Sequence, residues 1–409
     1  MARWWKLALV SVIALPALGL RIAGVHLPPT VAIPVFGGAV VASAFLLVWA
    51  AEAAHRDISG SLATAILAVI AVLPEYVVDL YFAWSAGHIP ANAQYAAANM
   101  TGSNRLLLGL GWPFVVFLFA WGLRKRGEKP RGVQLGEGRR LDLAFLGVAS
   151  LYSLIIPFTR RLAWYDAVVL LAIFGVYLWR AAQGQRSEPE LVGVAQQIGD
   201  LSRRTRRMVV AALFIGAAAI VLAAAEPFAQ ALIEGGRHLG VDEFLLVQWL
   251  APLASEAPEL IVAGLYAWRL NTSAGLGTLV SSKVNQWTLL IGTMPIAFAL
   301  ASGSLHGLPI VARQREELLL TAAQSLFAVA TLCNLSLSVR EAGFLFGLFW
   351  AQFLTGAFIA EHLHGLQLLF FSGVYLVLAA RLVFRDRRAL PSLVRDGFRT
   401  PYAQLADDG

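Results

Sequence analysis

Apolar residues in this chain fall into blocks of about twenty, the length that an α-helix needs to cross the hydrocarbon core of a bilayer. Such blocks constrain the fold strongly, because only helices and closed barrels satisfy their own backbone hydrogen bonds within lipid. The composition agrees, since 58% of residues are hydrophobic and 14% are charged, against roughly 25% charged in soluble domains. The sequence therefore predicts an all-α polytopic membrane protein.

We predict ten to twelve transmembrane helices. The twelve candidate spans are residues 4–24, 31–54, 58–86, 93–120, 141–158, 164–181, 208–233, 242–269, 273–301, 316–336, 341–360 and 365–384. The first span could instead be a signal peptide, because Arg3 and Lys6 precede its apolar run. A single cysteine, Cys333, excludes an internal disulfide and a cysteine-rich metal site.

The basic residues are distributed unevenly between the two sides of the predicted membrane. If the N-terminus is cytoplasmic, 24 of the 32 Lys and Arg residues lie in cytoplasmic segments and 6 on the opposite side. This asymmetry is the positive-inside rule, so the net charge of +7 indicates orientation and no nucleic-acid partner. Both termini are then cytoplasmic, and the arginine-rich edges fit a prokaryotic inner membrane. Only Arg105 and Lys283 remain, and both lie within spans.

Two groups of five spans, separated by a polar linker, share one sequence pattern. Each contains Pro-Glu, then "LYFAW" or "LYAWR", a loop, a serine within a small polar cluster, and leucines with glycine. The separation between glutamate and serine is 28 residues from Glu75 to Ser103 and 23 residues from Glu259 to Ser282. A repeat of this kind indicates an internal duplication.

An odd number of spans in each repeat turns the second copy upside down relative to the first. Inverted repeats with interrupted helices that meet near the midplane are typical of secondary transporters. The predicted domains are an extra N-terminal helix (1–30), the first repeat (31–181), a cytoplasmic linker (182–207), the second, inverted repeat (208–361), and an extra C-terminal helix with a basic tail (362–409).

Four acidic residues lie within the predicted spans near the Pro-Glu motifs. Glu75 and Asp79 share a helix face at spacing i, i+4, and Glu256 and Glu259 do so at i, i+3. Charges are costly within a bilayer, so intramembrane carboxylates indicate a functional site. Inverted symmetry would bring the four carboxylates together near the midplane.

Two basic residues oppose these acids, because Arg105 and Lys283 each lie on the helix that follows the loop of their own repeat. The formal balance of −2 can be met by one divalent cation, two monovalent cations or protons. Lys283 could act as a built-in cation or exchange its own proton. Alternatively, Arg105 could simply pair with Asp79, and Lys283 with Glu256.

Two motifs resemble those of the sodium/calcium exchanger (cation/calcium antiporter) superfamily. The stretch "LGVDEFLLVQWLAPLASEAPEL" (239–260) is similar to the family's run that ends in Gly-Thr-Ser-x-Pro-Glu, and "TGSN" (101–104) is similar to the Gly-Ser-Asn of its first repeat. The resemblance covers residues 31–360 and describes a diverged member. It implies cation sites that the two repeat glutamates form with hydroxyls and amides on neighbouring turns.

Carried over by position, the metal-binding glutamates are Glu75 and Glu259. The full predicted cation-binding set is Glu75, Asp79, Ser103, Asn104, Ser255, Glu256, Glu259, Ser282 and Gln286, with Arg105 and Lys283 as charge-compensating residues. The chain departs from the family where oxygen ligands are expected, because Ala71, Val72 and Leu107 occupy such positions. Ca²⁺ takes six to eight oxygen ligands, so the sequence favours fewer bound ions than in typical relatives.

We therefore predict a secondary active antiporter that exchanges Ca²⁺ or another cation for Na⁺ or H⁺ by alternating access around midplane carboxylates. A non-transporting sensor or scaffold is the alternative. An intramembrane enzyme is less favoured, since no His-Glu-x-x-His or Gly-x-Ser-x-Gly motif is present. The predicted partners are inorganic cations and the lipid bilayer, with no resident cofactor. Glu52 and Glu226, which open the two halves, could relay protons or hold helices together.

Overall fold

The computed structural model describes residues 4–54, 56–57, 73–183, 191, 193–240 and 242–405. The first part of the predicted span 58–86 lies outside the described residues, and so does much of the predicted linker between 184 and 192.

The described chain is almost entirely helical. In chain order its helices are α1 (Trp5–Ile22), α2 (Pro29–Ala54), α3 (Leu73–His88), α4 (Ala93–Leu106), α5 (Trp112–Lys125), α6 (Arg139–Ser153), α7 (Ile156–Thr159), α8 (Trp164–Ala181), α9 (Gly193–Gly199), α10 (Arg203–Leu239), α11 (Glu243–Trp268), α12 (Thr272–Asn285), α13 (Ile291–Ser302), α14 (Ala312–Leu332), α15 (Val339–Phe358), α16 (His364–Arg385), α17 (Leu390–Phe398) and α18 (Tyr402–Leu405). Short 3₁₀ turns, Pro90–Asn92 and Glu361–Leu363, precede α4 and α16. The all-α prediction is confirmed.

The chain divides into two compact units. The first comprises Met1–Phe82 and Arg186–Pro258, and the second comprises Ala83–Gln185 and Glu259–Gly409. These boundaries differ from those of the predicted repeats, which stay a prediction.

In the first unit, α2 packs against α1 and α10. The contact depends on small residues: a Cβ added to Gly37 would lie 2.8 Å from the Phe228 ring, and Ala39 and Ala50 are fully buried. Small residues allow apolar helices to approach closely within a membrane, where van der Waals packing drives their association. Helix α10 begins at Arg203, five residues before the predicted span, because Ser202 accepts a hydrogen bond from the backbone NH of Thr205 at the N-cap.

In the second unit, α14 packs against α6 and α16, and α8 packs against α13. Its largest fully buried side chains include Trp112 and Trp287. The Trp287 indole NH donates to Ser325 Oγ at 2.7 Å, so the buried ring also satisfies its polar atom.

Eight described helical segments are long and apolar enough to cross a membrane, where α4 with α5, α6 with α7, and α12 with α13 each count as one segment. Helix α11 is a ninth if its two parts form one span. The predicted spans at 316–336 and 341–360 correspond to α14 and α15, which are absent from this set. Helix α14 has four charged residues near its start, and these reduce its mean hydropathy: Arg313, Arg315, Glu316 and Glu317. The polytopic class is confirmed, whereas the number of spans stays a prediction.

Two short antiparallel strand pairs join loops of the second unit. Strand β1 (Val133–Gln134) pairs with β4 (Ser336–Leu337), and β2 (Arg161–Leu162) pairs with β3 (Leu308–Pro309). Hydrogen-bonded loops must lie on the same side of a membrane. The predicted topology places β1 and β4 together inside and β2 and β3 together outside, so both pairs agree with its alternation.

Candidate functional site

Helix α4 is unusual because its polar residues are buried. Asn99, Thr101, Ser103 and Asn104 are fully buried, and Arg105 is 1% exposed. Thr101 and Asn104 donate to backbone carbonyls one turn earlier. The Ser103 hydroxyl has no hydrogen-bond partner among the described residues. A buried polar helix of this kind needs a reason beyond packing, because unsatisfied polar groups are costly in an apolar environment.

Two π-helical turns lie at corresponding places in the two predicted repeats. They run from Leu107 to Gly111 and from Gln286 to Leu290, and each begins four residues after a serine of the repeat pattern, Ser103 or Ser282. π-Helical turns within α-helices are rare and frequently lie at functional sites. The shared offset agrees with the duplication inferred from sequence, and it matches Asn104 to Lys283.

These two matched residues contact each other. The Lys283 ammonium donates to the backbone carbonyl of Asn104 at 2.5 Å and to its side-chain Oδ1 at 2.6 Å. Lys283 is fully buried and lies 5.6 Å from the centre of the Trp287 ring. Two oxygen atoms and an aromatic ring therefore lie close to the positive charge.

The predicted pair of Glu259 and Ser282 is also formed. The Ser282 hydroxyl donates to Glu259 Oε2 at 2.6 Å, across the connection between α11 and α12. Glu259 is partly exposed, whereas Ser282 is 5% exposed and Gln286 is 1% exposed. The second unit thus contains a carboxylate on α11, a hydroxyl on α12 and a buried amide at the start of the π-helical turn that follows α12.

The remaining predicted residues belong to the first unit. Glu75, Asp79 and Glu256 are all buried within apolar helices, and Asp79 is fully inaccessible. Ser255 is turned back toward its own helix, because its hydroxyl donates to the carbonyls of Ala251 and Pro252 at 3.3 Å. The meeting of all four carboxylates near the midplane stays a prediction.

Arg105 has two partners that sequence reasoning missed. Its guanidinium donates to Glu317 on α14 and to Gln352 on α15, and both partners are buried. A glutamate within the apolar run "ELLLTAAQSLFAVATL" was the available signal for Glu317. These contacts tie α4 to α14 and α15, which lie more than two hundred residues further along the chain in the second unit.

Glu226, considered above as a relay or structural group, pairs with Arg21 of α1 and accepts a hydrogen bond from Gln230. This ion pair favours the structural role. Among the described residues, no group of three or more His, Cys, Asp or Glu side chains is arranged to hold a metal ion.

Buried carboxylates and amides beside interrupted helices, within an apolar helical protein, are typical of secondary transporters. The sequence model of the family described as "Sodium/calcium exchanger protein" matches residues 29–182 and 209–381. The chain therefore belongs to the sodium/calcium exchanger protein family. The resemblance drawn from its motifs is confirmed, and the protein is a transporter of the exchanger class and not an enzyme.

Solved structures agree with this assignment. The chain is 40% identical to the H⁺/Ca²⁺ exchanger CAX, with a TM-score of 0.88, and the match covers 97% of this chain and 98% of that one. It shares the fold of YfkE (15% identity, TM-score 0.60, coverage 88% and 98%) and of the sodium–calcium exchanger NCX_Mj (17% identity, TM-score 0.52, coverage 81% and 99%). Comparison with curated proteins gives no match.

Proposed function

We propose that this exchanger transports Ca²⁺ in one direction and H⁺ in the other. The observation that carries the proposal is the buried Lys283 ammonium, held by both the carbonyl and the side-chain oxygen of Asn104. An ammonium that occupies these oxygens leaves fewer ligands for Na⁺. Protons need no coordination shell, so a site with few oxygens suits H⁺ as the coupling ion.

The carboxylates Glu75 and Glu259 carry the exchange in this proposal. Each alternates between a deprotonated state, which binds Ca²⁺, and a protonated state, which returns after Ca²⁺ is released. Ser282 supports this role at Glu259, because its hydroxyl donates to the carboxylate and orients one oxygen. Similarity to the H⁺/Ca²⁺ exchanger CAX over nearly the whole chain supports the same choice of ions.

The test is Ca²⁺ flux in proteoliposomes that hold the purified protein. An outward H⁺ gradient and an outward Na⁺ gradient are applied separately, and ⁴⁵Ca²⁺ uptake is followed. We expect uptake with the H⁺ gradient, collapse of uptake when a protonophore dissipates it, and little uptake with Na⁺. Glu259→Gln and Glu75→Gln should each reduce the initial rate by more than the roughly 10- to 100-fold that loss of an outer-shell partner of a metal ligand costs, because a carboxylate that binds the ion is itself removed.

Glu137→Gln is the matched control, because it removes a carboxylate that is 40% exposed and pairs with the nearby Arg140. Its uptake should equal that of the wild type. Uptake driven equally well by Na⁺ would contradict the proposed coupling ion. The absence of flux with every cation tested would support the alternative of a non-transporting relative.

Lys283→Ser separates the role of the ammonium from that of the carboxylates. The variant frees both Asn104 oxygens and adds a hydroxyl, so we expect Na⁺-driven Ca²⁺ uptake to appear or the pH profile of uptake to change. Lys283→Arg keeps the charge and is the comparison. A pH profile and an ion preference identical to the wild type would eliminate this role.

We also infer that both termini face the cytoplasm, since this orientation places 24 of the 32 Lys and Arg residues there. A prokaryotic inner membrane is the host membrane that the arginine-rich edges favour.

A further inference from the structure

A pocket of about 320 Å³ lies where the C-terminal ends of α14 and α16 meet the N-terminal end of α15. This volume is at the lower end of the roughly 300–1,000 Å³ typical of ligand sites. All three helix ends lie on the predicted cytoplasmic side. The pocket belongs to the second unit and contains none of the residues of the candidate cation site.

The walls of the pocket are apolar and its rim is basic. Phe327, Phe344 and Leu378 contribute to the walls. Phe344 is 49% exposed although its ring contacts the buried Phe327 ring edge to face, with 6.2 Å between centroids. Arg340 and Arg381 contribute to the rim. An apolar slot below a cationic rim matches an amphiphile that has a negative head and a hydrocarbon tail.

The charges on the rim are not balanced within the described residues. Arg385, the third arginine of the pocket, is engaged by Glu341 at 3.2 Å and by Asp386 at 2.6 Å. Glu341 is used further, because it accepts hydrogen bonds from the backbone NH and the hydroxyl of Ser338 at the start of α15. Arg340 and Arg381 are exposed, and no carboxylate lies within 4.0 Å of either in the described part of the chain.

We propose that this pocket binds the phosphate headgroup of an anionic phospholipid of the cytoplasmic leaflet. Arg340 and Arg381 hold the phosphate, and the upper part of an acyl chain packs against Phe344 and Leu378. Guanidinium groups suit this ligand because they donate two parallel hydrogen bonds to phosphate oxygens. Basic pockets between transmembrane helices on the cytoplasmic side bind such headgroups in general. The inference does not depend on which ions the protein exchanges.

Lipid binding to the full-length protein is measured by native mass spectrometry during titration with phosphatidylglycerol, with phosphatidylcholine in parallel. We expect preferential binding of phosphatidylglycerol. Arg340→Gln/Arg381→Gln should weaken it roughly 10- to 30-fold, since each basic residue near an anionic lipid contributes about 1 kcal/mol. Arg124→Gln/Arg126→Gln is the matched control, because it removes two exposed arginines from the same predicted side at the end of α5 and should leave binding unchanged.

Two further measurements test the acyl-chain contact and the source of the phosphate. Leu378→Trp retains both arginines but fills the slot, so it should also weaken phosphatidylglycerol binding and thereby show that the acyl chain enters. Inorganic phosphate at millimolar concentration should not displace the lipid. Equal loss in the control variant, no loss in Arg340→Gln/Arg381→Gln, or displacement by inorganic phosphate would each overturn the assignment.

Discussion

Arg105 is charged and almost fully buried, and its guanidinium donates hydrogen bonds to two buried side chains. Glu317 supplies the opposite charge and Gln352 supplies a neutral acceptor. A buried ion pair is not necessarily stabilising as a whole, because both charges lose their hydration. Removing only one partner is costly, since it leaves the other charge buried without compensation.

We therefore expect Glu317→Gln to destabilise the protein by about 3–5 kcal/mol. The midpoint of thermal unfolding in detergent reports the loss. Arg105→Gln/Glu317→Gln should cost less than the sum of its two single substitutions, because the residues in direct contact are coupled. Glu137→Gln, which breaks a partly exposed pair with Arg140, should cost no more than about 1 kcal/mol. Equal effects of Glu317→Gln and Glu137→Gln would contradict this account.

At the scale of single residues, the sequence shows which charged side chains lie within predicted spans, but it does not show every side chain that contacts them. Helical spacing alone predicted the shared faces of Glu75 with Asp79 and of Glu256 with Glu259. It could not show that Glu317, more than two hundred positions away, reaches Arg105. Partners across helices depend on which helices pack together, and local periodicity does not contain this information.

At the scale of helices, the first π-helical turn (Leu107–Gly111) packs closely against α15. Gly109 lies in this turn, and a Cβ at its position would overlap the Phe349 ring. The turn can therefore approach α15 only because residue 109 has no side chain.

Gly109→Ala should cost about 1–3 kcal/mol, the usual range for overpacking of a well-packed core. The matched control is Gly347→Ala on α15, where an added Cβ meets no atom within 4 Å. That variant should be neutral or stabilised by up to about 1 kcal/mol, because alanine is the better helix former. Thermal unfolding of both variants tests the difference, and similar midpoints would show that Phe349 moves aside freely.

Asp57 joins the end of α2 to the start of α10. Its carboxylate accepts hydrogen bonds from Arg206 Nε at 2.6 Å and Nη2 at 2.9 Å, and Arg207 and Arg203 lie 3.4 and 3.6 Å away. The hydrogen bonds from Arg206 hold the pKa of Asp57 below its ordinary value of 3.8. A carboxyl whose pKa is lowered by folding stabilises the fold above its ordinary pKa and loses this contribution as the pH falls through the lowered value.

Asp57→Asn should therefore lower the unfolding midpoint by a constant amount between about pH 5 and pH 8. Below about pH 4, the difference from the wild type should shrink as the wild-type carboxyl becomes protonated. Unfolding midpoints of both proteins across this pH range provide the measurement. A difference that persists unchanged at the lowest pH would mean that packing, and not charge, holds these helices together.

Across the whole molecule, the two strand pairs constrain the topology. Each pair ties together loops that are distant in sequence. Such contacts do not tell the inside from the outside, and the positive-inside count predicts which is which. Cysteines introduced at paired strand positions should report the side directly, because the chain has a single native cysteine, Cys333, which is buried.

In a Cys333→Ser background, cysteines at Gln134 and at its neighbour Ser336 should react with a membrane-impermeant maleimide only in inside-out vesicles. Cysteines at Arg161 and its partner Pro309 should react only in right-side-out vesicles. The opposite pattern would reverse the proposed orientation. Reaction of two paired positions from opposite sides would contradict the strand pairs themselves.

The helical, polytopic class was predictable, because blocks of about twenty apolar residues are visible in the sequence itself. The predicted span at 31–54 agrees closely with α2, and that at 164–181 agrees with α8. The early start of α10 was not predicted, because its first turn is basic and polar and depends on the Ser202 cap. The short strands were missed because two-residue pairs between loops have no periodicity to detect.

The contact between Lys283 and Asn104 has a consequence for how such a chain can have evolved. The two residues occupy matched positions next to the two π-helical turns, yet one is a cation and the other its acceptor. Two copies of the second half, assembled as an antiparallel homodimer, would set ammonium against ammonium. Two copies of the first half would set amide against amide with no charge between them. A chain with this contact has halves that are complementary at these two positions, so neither half could be replaced by a copy of the other there.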